Sequence, residues 1–486
     1  MRPDRVSVGR TAISWKGSVR DMVAGWPLEL PLLALVSDDP EAWGEGERRS
    51  RWSYFAPGTG ERVVVPGGAG AEEALGALEG ALGGGHGGWS GAVGEGEPPF
   101  VGGWVGALAY ELGFSLEPAS ARVCGRDPQG VEQRRSVPQA VLTRCDAAYA
   151  HDGVTGRWWV VGARGAVERL PALPREGCGA EGGDGVRIGR VRSVSGRGRY
   201  EAAVAHVVRA IHDGELFQAN VAHVLQARFE GEPRALFRRM LDAARPAFGA
   251  YLEYPSARRV GCVVSVSPEL FVSVEPGPSG GARRIVTRPI KGTRAARAGA
   301  GAELLHSRKD EAELAMITDL MRNDLGRVCA PGTVRVDDGR LLERCADGAL
   351  LHTVSAVSGR LGEGVTDVDV LRATFPPGSI TGAPKIRAMQ MIRALEGRAR
   401  GFYCGGIGLF SDDGHVSLSV AIRTGTVRGD RVNGGGVRGT LEFPVGAGIV
   451  ADSEPSKEWE ETIAKASVLR RVRGDAGRRA GVMHDG

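Results

Sequence analysis

Lysine is scarce in this chain of 486 residues: of 62 Lys and Arg, only six are lysines, at positions 16, 291, 309, 385, 457 and 465. Arginine is the default cation, so each lysine stands out. Charge of one sign is also lacking, with a formal net charge of +4 and aromatics at 6%. There is no dense basic run interleaved with aromatics, so no nucleic-acid partner is expected. The seven cysteines are an odd, scattered set with no C-x-x-C pair and no histidine cluster at zinc spacing. That excludes a disulfide framework or a zinc module and reads as reduced thiols of a cytoplasmic protein. Long apolar runs are missing too. The stretch from Leu30 to Val36 is too short for a bilayer, contains Pro31 and lacks a cleavage site, so neither a membrane nor an export route is expected.

What the chain does have is a hydrophobic content of 42% against 25% charged residues, enough for a large core in one large or two to three ordinary domains. Gly and Pro make up about a fifth of it without a Gly-X-Y period, which rules out a collagen. Residues 66 to 97 hold a helix-like centre, Glu72 to Leu82, between glycine-rich flanks, and residues 175 to 185 form a second, acidic and glycine-rich break. From Arg473 on, the polar tail is expected to fray. Short Val-, Leu- and Tyr-rich runs at 140–161 and 248–274 predict antiparallel strands. Apolar spacings of three and four predict helices over Tyr200–His212 and Glu311–Val328. Strand and helix runs do not alternate regularly, which favours α+β over a doubly wound sheet.

Several motifs bear on chemistry. Gly446-x-Gly448-x-x-Ala451 is not a dinucleotide fingerprint, because only 35 residues follow and no second-strand acid does; no Walker-type phosphate loop occurs either. In the helix from Lys309, Glu313 borders the apolar face set by Ile317 and Met321: a solvated edge, or a metal ligand. A helix opening near Ser453-Glu-Pro455, with Pro in its first turn and a capping side chain before it, carries Glu458, Glu461 and Lys465 on one face. These form either an exposed ion pair or, facing Glu313, a clamp in which Glu313 and Glu461 hold Mg²⁺. Lys291, between Pro289 and a Gly292-Thr293 turn, is a surface cation or a nucleophile, since a buried lysine can lose its proton and an arginine cannot. Gly378 to Lys385 reads as a turn opening a helix over Ile386–Leu395, suited to anion contact. Tyr403, Gly405-Gly406 and Arg423 fall on strand-like stretches.

Together these blocks resemble the chorismate-utilising enzymes: component I of anthranilate synthase and of aminodeoxychorismate synthase, isochorismate synthase and salicylate synthase. The matching segments are SPELF from Ser267, TRPIKGT from Thr287, the run from Glu313 to Val334, HTVSAVSG from His352, GSITGAPKIRAM from Gly378, YCGGIG from Tyr403, SVAIRT ending at Thr424 and the run ending at Ala466. Weaker matches reach Phe217-Gln-Ala-Asn220, Phe100–Gly106 and Arg51–Tyr54.

The resemblance implies an α+β fold of two antiparallel sheets packed as a sandwich with flanking helices, in one large unit. Residues 1–190 would be its N-terminal region, 191–472 the chorismate-binding catalytic region and 473–486 a frayed tail. The breaks at 66–97 and 175–185 then become surface loops. Within the family PIAGT marks anthranilate synthases and PIKGT aminodeoxychorismate synthases, and this chain reads PIKGT. The resemblance therefore implies amination of chorismate to 4-amino-4-deoxychorismate, with anthranilate synthase component I or a non-catalytic chorismate-binding regulator as alternatives. By that match Lys291 is the nucleophile and Glu269 the general acid. Glu313 and Glu461 are Mg²⁺ ligands, with Glu458 acting through water. Gly292 and Thr293 contact the ring carboxylate, while Tyr403, Arg423, Gly448 and Lys465 surround the enolpyruvyl carboxylate. His352 matches a residue tied to pyruvate elimination, and Ser379 stands where anthranilate synthases carry Thr. Ammonia would come from a separate glutaminase subunit, since the chain has no Gly-x-Cys-x-Gly elbow. Tryptophan, which some relatives hold near segments matching Leu35–Ser37 and Arg51–Tyr54, is not expected to bind, because the Leu-Glu-Ser element is missing.

Overall fold

The computed structural model describes residues 8–38, 51–83, 93–94, 96–121, 137–179, 185–255, 259–277, 281–344, 350–432 and 436–473. The tail beyond 473, parts of the 66–97 and 175–185 breaks, Cys124 and Cys345 lie outside these residues. The five cysteines within them are all free thiols.

Two antiparallel sheets form the frame, one of 13 strands and one of 10 among the described residues. Early and late parts of the chain interleave in both. Strand Leu32–Val36 pairs with Phe248–Pro255 in the larger sheet, and Gly103–Leu108 pairs with Gly406–Ser411 in the smaller. Between the inner faces lie Leu33, Val105, Val141, Ala250, Val263 and Ile407, drawn from both sheets as period-two strands require. The α+β sandwich expected from the sequence is therefore the fold. No helix among the described residues is long and apolar enough to cross a membrane.

Helices cover the outer faces. Pro233–Ala244 lays Leu236, Phe237, Met240 and Leu241 on the larger sheet against Val264 and Phe443. Arg308–Gly326 starts at Ser307, whose hydroxyl accepts the Asp310 N–H, and buries Leu314, Ile317, Met321 and Leu325 at three- and four-residue steps. Helices Arg197–His212 and Lys385–Glu396 bracket the predicted spans within a few residues.

Three expectations need correction. The 66–97 segment is more than a surface loop: its helix, Ala71–Leu82, buries Ala74, Leu78 and Leu82 in the core of the smaller sheet. The helix Pro455–Lys465 has no side-chain cap, because the Ser453 hydroxyl instead donates to Glu458 at 2.7 Å. Tyr403 and Arg423 sit on turns rather than strands. Left-handed backbone at Gly401 (φ 61°) and Cys404 (φ 63°) reverses the chain around Tyr403, and Arg423 itself has φ 50°, between strands Val416–Val420 and Thr424–Arg431.

Candidate active site

A cavity of about 500 Å³ opens between the ends of the two sheets, closed by the helices Arg308–Gly326 and Pro455–Lys465. The residues singled out from the sequence meet there, with one exception. Glu269, Lys291, Gly292, Thr293, Glu313 and His352 line it, as do Ser379, Tyr403, Arg423, Gly448, Glu461 and Lys465. Glu458 does not; it is buried behind the helix and held by Ser453.

Local backbone geometry aims Lys291. Strand Ile290–Ala295 pairs with Leu350–Arg360, but the register slips between Lys291 and Thr293. Gly292 absorbs the bulge at φ 65°, and a Cβ there would come within 2.9 Å of the Asp310 carboxyl carbon. The Lys291 carbonyl is held by the Thr353 hydroxyl, while its amine donates to the Ser379 carbonyl at 3.0 Å. Burial holds this ammonium below its ordinary range, Glu313 and Glu269 oppose that, and Lys465 adds to it.

Glu269 is buried at the start of strand Leu270–Glu275, its N–H on the Ser267 hydroxyl. Burial pushes its carboxyl up to about 7, against the Ser379 hydroxyl, the charges of Lys291 and Lys465 and the Ile290 N–H. The result is a proton donor poised near neutrality beside an amine that gives up its proton more easily than usual.

Carboxylates and cations occupy the opposite wall. Burial raises Glu313, as do Asp310 and Glu461, while Lys291 and Lys309 pull it down. Glu461 is half-exposed and bonds Lys465 at 2.7 Å, a partner that lowers its carboxyl despite burial. Lys465 also donates to the Gly446 carbonyl at 3.0 Å. Two carboxylates from separate helices thus repel across the cavity, and Glu458 Oε2 has no hydrogen-bond partner among the described residues. This all-oxygen donor set suits a hard divalent cation completed by water or substrate oxygens. Among the described residues no three His, Cys, Asp or Glu side chains form a closed metal cage. His352 is buried near Arg423 and Arg288; burial and these cations hold it down to about 4, so it is neutral at physiological pH.

Sequence reasoning passed over Gln218 and Arg400. The buried Gln218 amide lies over strand Val437–Ile449, where a Cβ on Gly448 would meet its Nε2 at 2.5 Å and Lys291 Nζ at 3.8 Å. A side chain at 448 would therefore displace the Gln218 amide and press on the Lys291 amine. The available signal was the Phe217–Asn220 block, recognised as a match but given no role. Lys385, placed at an anion-binding turn from sequence, instead bonds Asp324 at 2.5 Å and the Thr374 carbonyl at 3.0 Å. A second cavity of about 420 Å³ lies between the sheets, lined by Leu35, Arg51, Trp52 and Tyr54 among others.

The two-sheet sandwich and a cleft that sets four carboxylates and five further cations around a lysine amine have the make-up of an enzyme site for a small charged metabolite. The chain belongs to the chorismate binding enzyme family, whose description matches residues 85–471. It is 34% identical over 400 residues to anthranilate synthase component 1 of Aquifex aeolicus strain VF5, covering 77% of this chain and 75% of that protein. It is 33% identical over 401 residues to the protein of the same name from Pseudomonas putida, covering 78% and 76%. Among solved structures it resembles anthranilate synthase component I from Streptococcus pneumoniae TIGR4, with a TM-score of 0.64 and 24% identity over 97% of this chain and 93% of that one. It also resembles the menaquinone-specific isochorismate synthase from Escherichia coli, with a TM-score of 0.66 and 15% identity over 96% and 94%. The fold is thus shared across the family, and the chain is of the anthranilate synthase component I type.

Proposed function

We propose that the protein aminates chorismate at ring carbon 4, giving 4-amino-4-deoxychorismate, as component I of a two-subunit synthase that draws ammonia from a separate glutaminase. The observation that carries this is the Lys291 amine, inside the same cavity as Glu269, whose carboxyl burial pushes up to about 7. In the neutral form it attacks ring carbon 2. Both ring double bonds shift around the side away from carbon 3, the bond from carbon 4 to its hydroxyl breaks, and that oxygen leaves as water with the Glu269 proton. Ammonia then adds at carbon 4, both double bonds shift back, and the carbon 2 to nitrogen bond breaks. Lys291 is released, and a proton from the added ammonia returns to Glu269.

In this reading Glu313 and Glu461, with Glu458 acting through water, would hold Mg²⁺, which would supply charge neutralisation of the ring carboxylate. Thr293 and the Gly292 turn meet the same carboxylate. Tyr403, Arg423, Lys465 and the open backbone at Gly448 take the enolpyruvyl carboxylate, with His352 and Ser379 closing the pocket. The division into an N-terminal region to 190 and a catalytic region from 191 to 472 is part of the same proposal.

Anthranilate formation is a second reading, and overall similarity favours it. The relatives compared, at 30–34% identity, carry that name, and His352 stands in the cavity. One assay separates the two. Purified protein is given chorismate, Mg²⁺ and ammonium, with and without a pyridoxal-phosphate lyase that converts aminodeoxychorismate to 4-aminobenzoate. 4-Aminobenzoate appearing only with the lyase supports 4-amination; fluorescent anthranilate without it overturns that reading in favour of the second. Chorismate binding with no turnover at any ammonia supply would leave a regulatory binding protein.

A further inference from the structure

Arg400 is buried, and two of the groups its guanidinium bonds, the Asn220 and Ile380 carbonyls, belong to residues that line the cavity. Nε and Nη2 donate to the two Glu396 oxygens at 2.9 and 2.6 Å. Nη2 also donates to the Asn220 carbonyl at 2.6 Å, and Nη1 to the Ile380 carbonyl at 3.2 Å. The guanidinium carbon stands 4.5 Å from the centroid of the Tyr110 ring. Glu396 in turn accepts the Ala222 N–H at 2.8 Å. Beneath, the buried Glu111 carboxyl accepts the N–H groups of Arg400 and Gly401 at 2.8 and 3.0 Å. Three separate pieces of chain are thereby tied to one planar group. They are the strand start carrying Gln218 and Asn220, the turn carrying Ser379, and the turn carrying Tyr403.

We propose that Arg400, with Glu396 and Glu111, is the positioning unit of the site, fixing Ser379, Tyr403 and Asn220 relative to one another so that Lys291 and Glu269 meet the substrate in register. It touches no substrate itself. A guanidinium does this because its donors diverge in one plane and reach three acceptors at once, whereas a lysine presents its donors from a single point. Glu396 compensates the guanidinium charge through both of its oxygens, so the unit gives a fixed geometry next to a site whose chemistry depends on Lys291 and Glu269.

The inference rests on the cavity being the chorismate site, and the test keeps the two apart. Arg400→Lys keeps the charge but loses the fork. Its kcat should fall by about 100-fold, the cost of small misplacements of reacting groups. Its melting temperature should stay within a few degrees of the parent, and calorimetric chorismate affinity should weaken less than kcat falls. A folded Arg400→Lys with kcat within threefold of the parent overturns the proposal, as does a loss fully recovered by correcting for the folded fraction. If Arg400→Lys does not fold, Glu111→Gln, which keeps a carbonyl acceptor but one donor too many, takes its place under the same criteria. If the parent protein turns over no chorismate, the functional reading fails, and positioning is then read from chorismate affinity alone. A tenfold loss in the variant supports it and an unchanged affinity overturns it.

Discussion

Lys291 donates its amine to the main-chain carbonyl of Ser379 at 3.0 Å, and the hydroxyl of that same serine bonds Glu269. One short turn, Gly378–Ile380, therefore holds both the nucleophile and the acid of the proposed reaction. The two groups cannot drift apart without this turn moving, and their protonation states are set in one small volume.

The pH dependence follows from these states. Glu269, raised to about 7 by burial, must carry its proton to release the hydroxyl, so kcat/KM should fall as pH rises above about 7. Lys291 must be neutral, which sets the acid side, and its lowered value widens the working window. Ser379→Ala removes a bond that favours the ionised carboxylate, so the alkaline limb should move to higher pH. A limb that stays put or moves down would separate it from Glu269.

Replacing Lys291 discriminates nucleophile from mere cation. Lys291→Arg keeps the charge but cannot deprotonate, and so should be as inactive in 4-amination as Lys291→Ala, each down by about a thousandfold or more. Quantifying the aminated product by chromatography checks this. Activity retained in the arginine variant would mean that the position serves only as a charge.

Much of this site was readable in one dimension because its groups lie in contiguous blocks: the strand bulge at Lys291 to Thr293, the acidic helix faces at Glu313 and at Glu458 to Lys465, the glycine at 448. Period-two and period-three-to-four spacing likewise gave strands and helices, while the sandwich came from the resemblance to the chorismate-utilising enzymes. What was not readable depends on pairings distant in sequence. Arg400 binds Asn220, 180 residues away, and Lys385 finds Asp324, 61 residues away, and no local pattern distinguishes these cations from solvated ones. The turns at Tyr403 and Arg423 were misread as strands because their left-handed backbone falls on Cys404 and Arg423, residue types that rarely adopt it.

Gly292→Ala tests the bulge that aims Lys291. A side chain at φ 65° costs about 1–2 kcal/mol, and its Cβ would also press on Asp310, which is pinned by Arg294 at 2.9 Å. Unfolding in urea should show a loss of about 2 kcal/mol, with kcat reduced in the fraction that remains folded. Unchanged stability would mean that the strand re-forms without the bulge.

Glu313 and Glu461 are expected to act together on Mg²⁺. Chelation should abolish turnover and added Mg²⁺ restore it, while Glu313→Gln and Glu461→Gln should each raise the Mg²⁺ concentration needed for half-maximal rate by about tenfold or more. Titration calorimetry with Mg²⁺ gives the readout free of turnover. In the absence of metal Glu313→Gln should stabilise the fold, because it relieves a buried carboxylate facing a second one. Lower apo stability in that variant would contradict the electrostatic picture.

The helix bearing Glu461 is anchored by His223, and the hydrogen positions there can be worked out. The Thr462 hydroxyl donates to the Trp459 carbonyl at 2.7 Å, so its oxygen accepts the Nε2–H of His223 at 2.9 Å. Nδ1 must then accept from the Ser193 hydroxyl at 3.0 Å, whose oxygen receives the Gly196 N–H at 3.2 Å. The ring also stacks on Trp459 with centroids 4.5 Å apart. A neutral ring satisfies every bond, and burial lowers its pKa from 6.5 to about 4. Because the folded value is depressed, the stability His223 contributes is present above about 6.5 and is lost as pH falls toward 4. His223→Gln, which does not titrate, should be less stable than the parent at pH 7.5. That gap should shrink, by on the order of 3 kcal/mol, between pH 6.5 and 4. Chemical denaturation of both proteins across this range measures it, and a gap independent of pH would mean that His223 is protonated in the fold and that the helix is anchored through a charged ring.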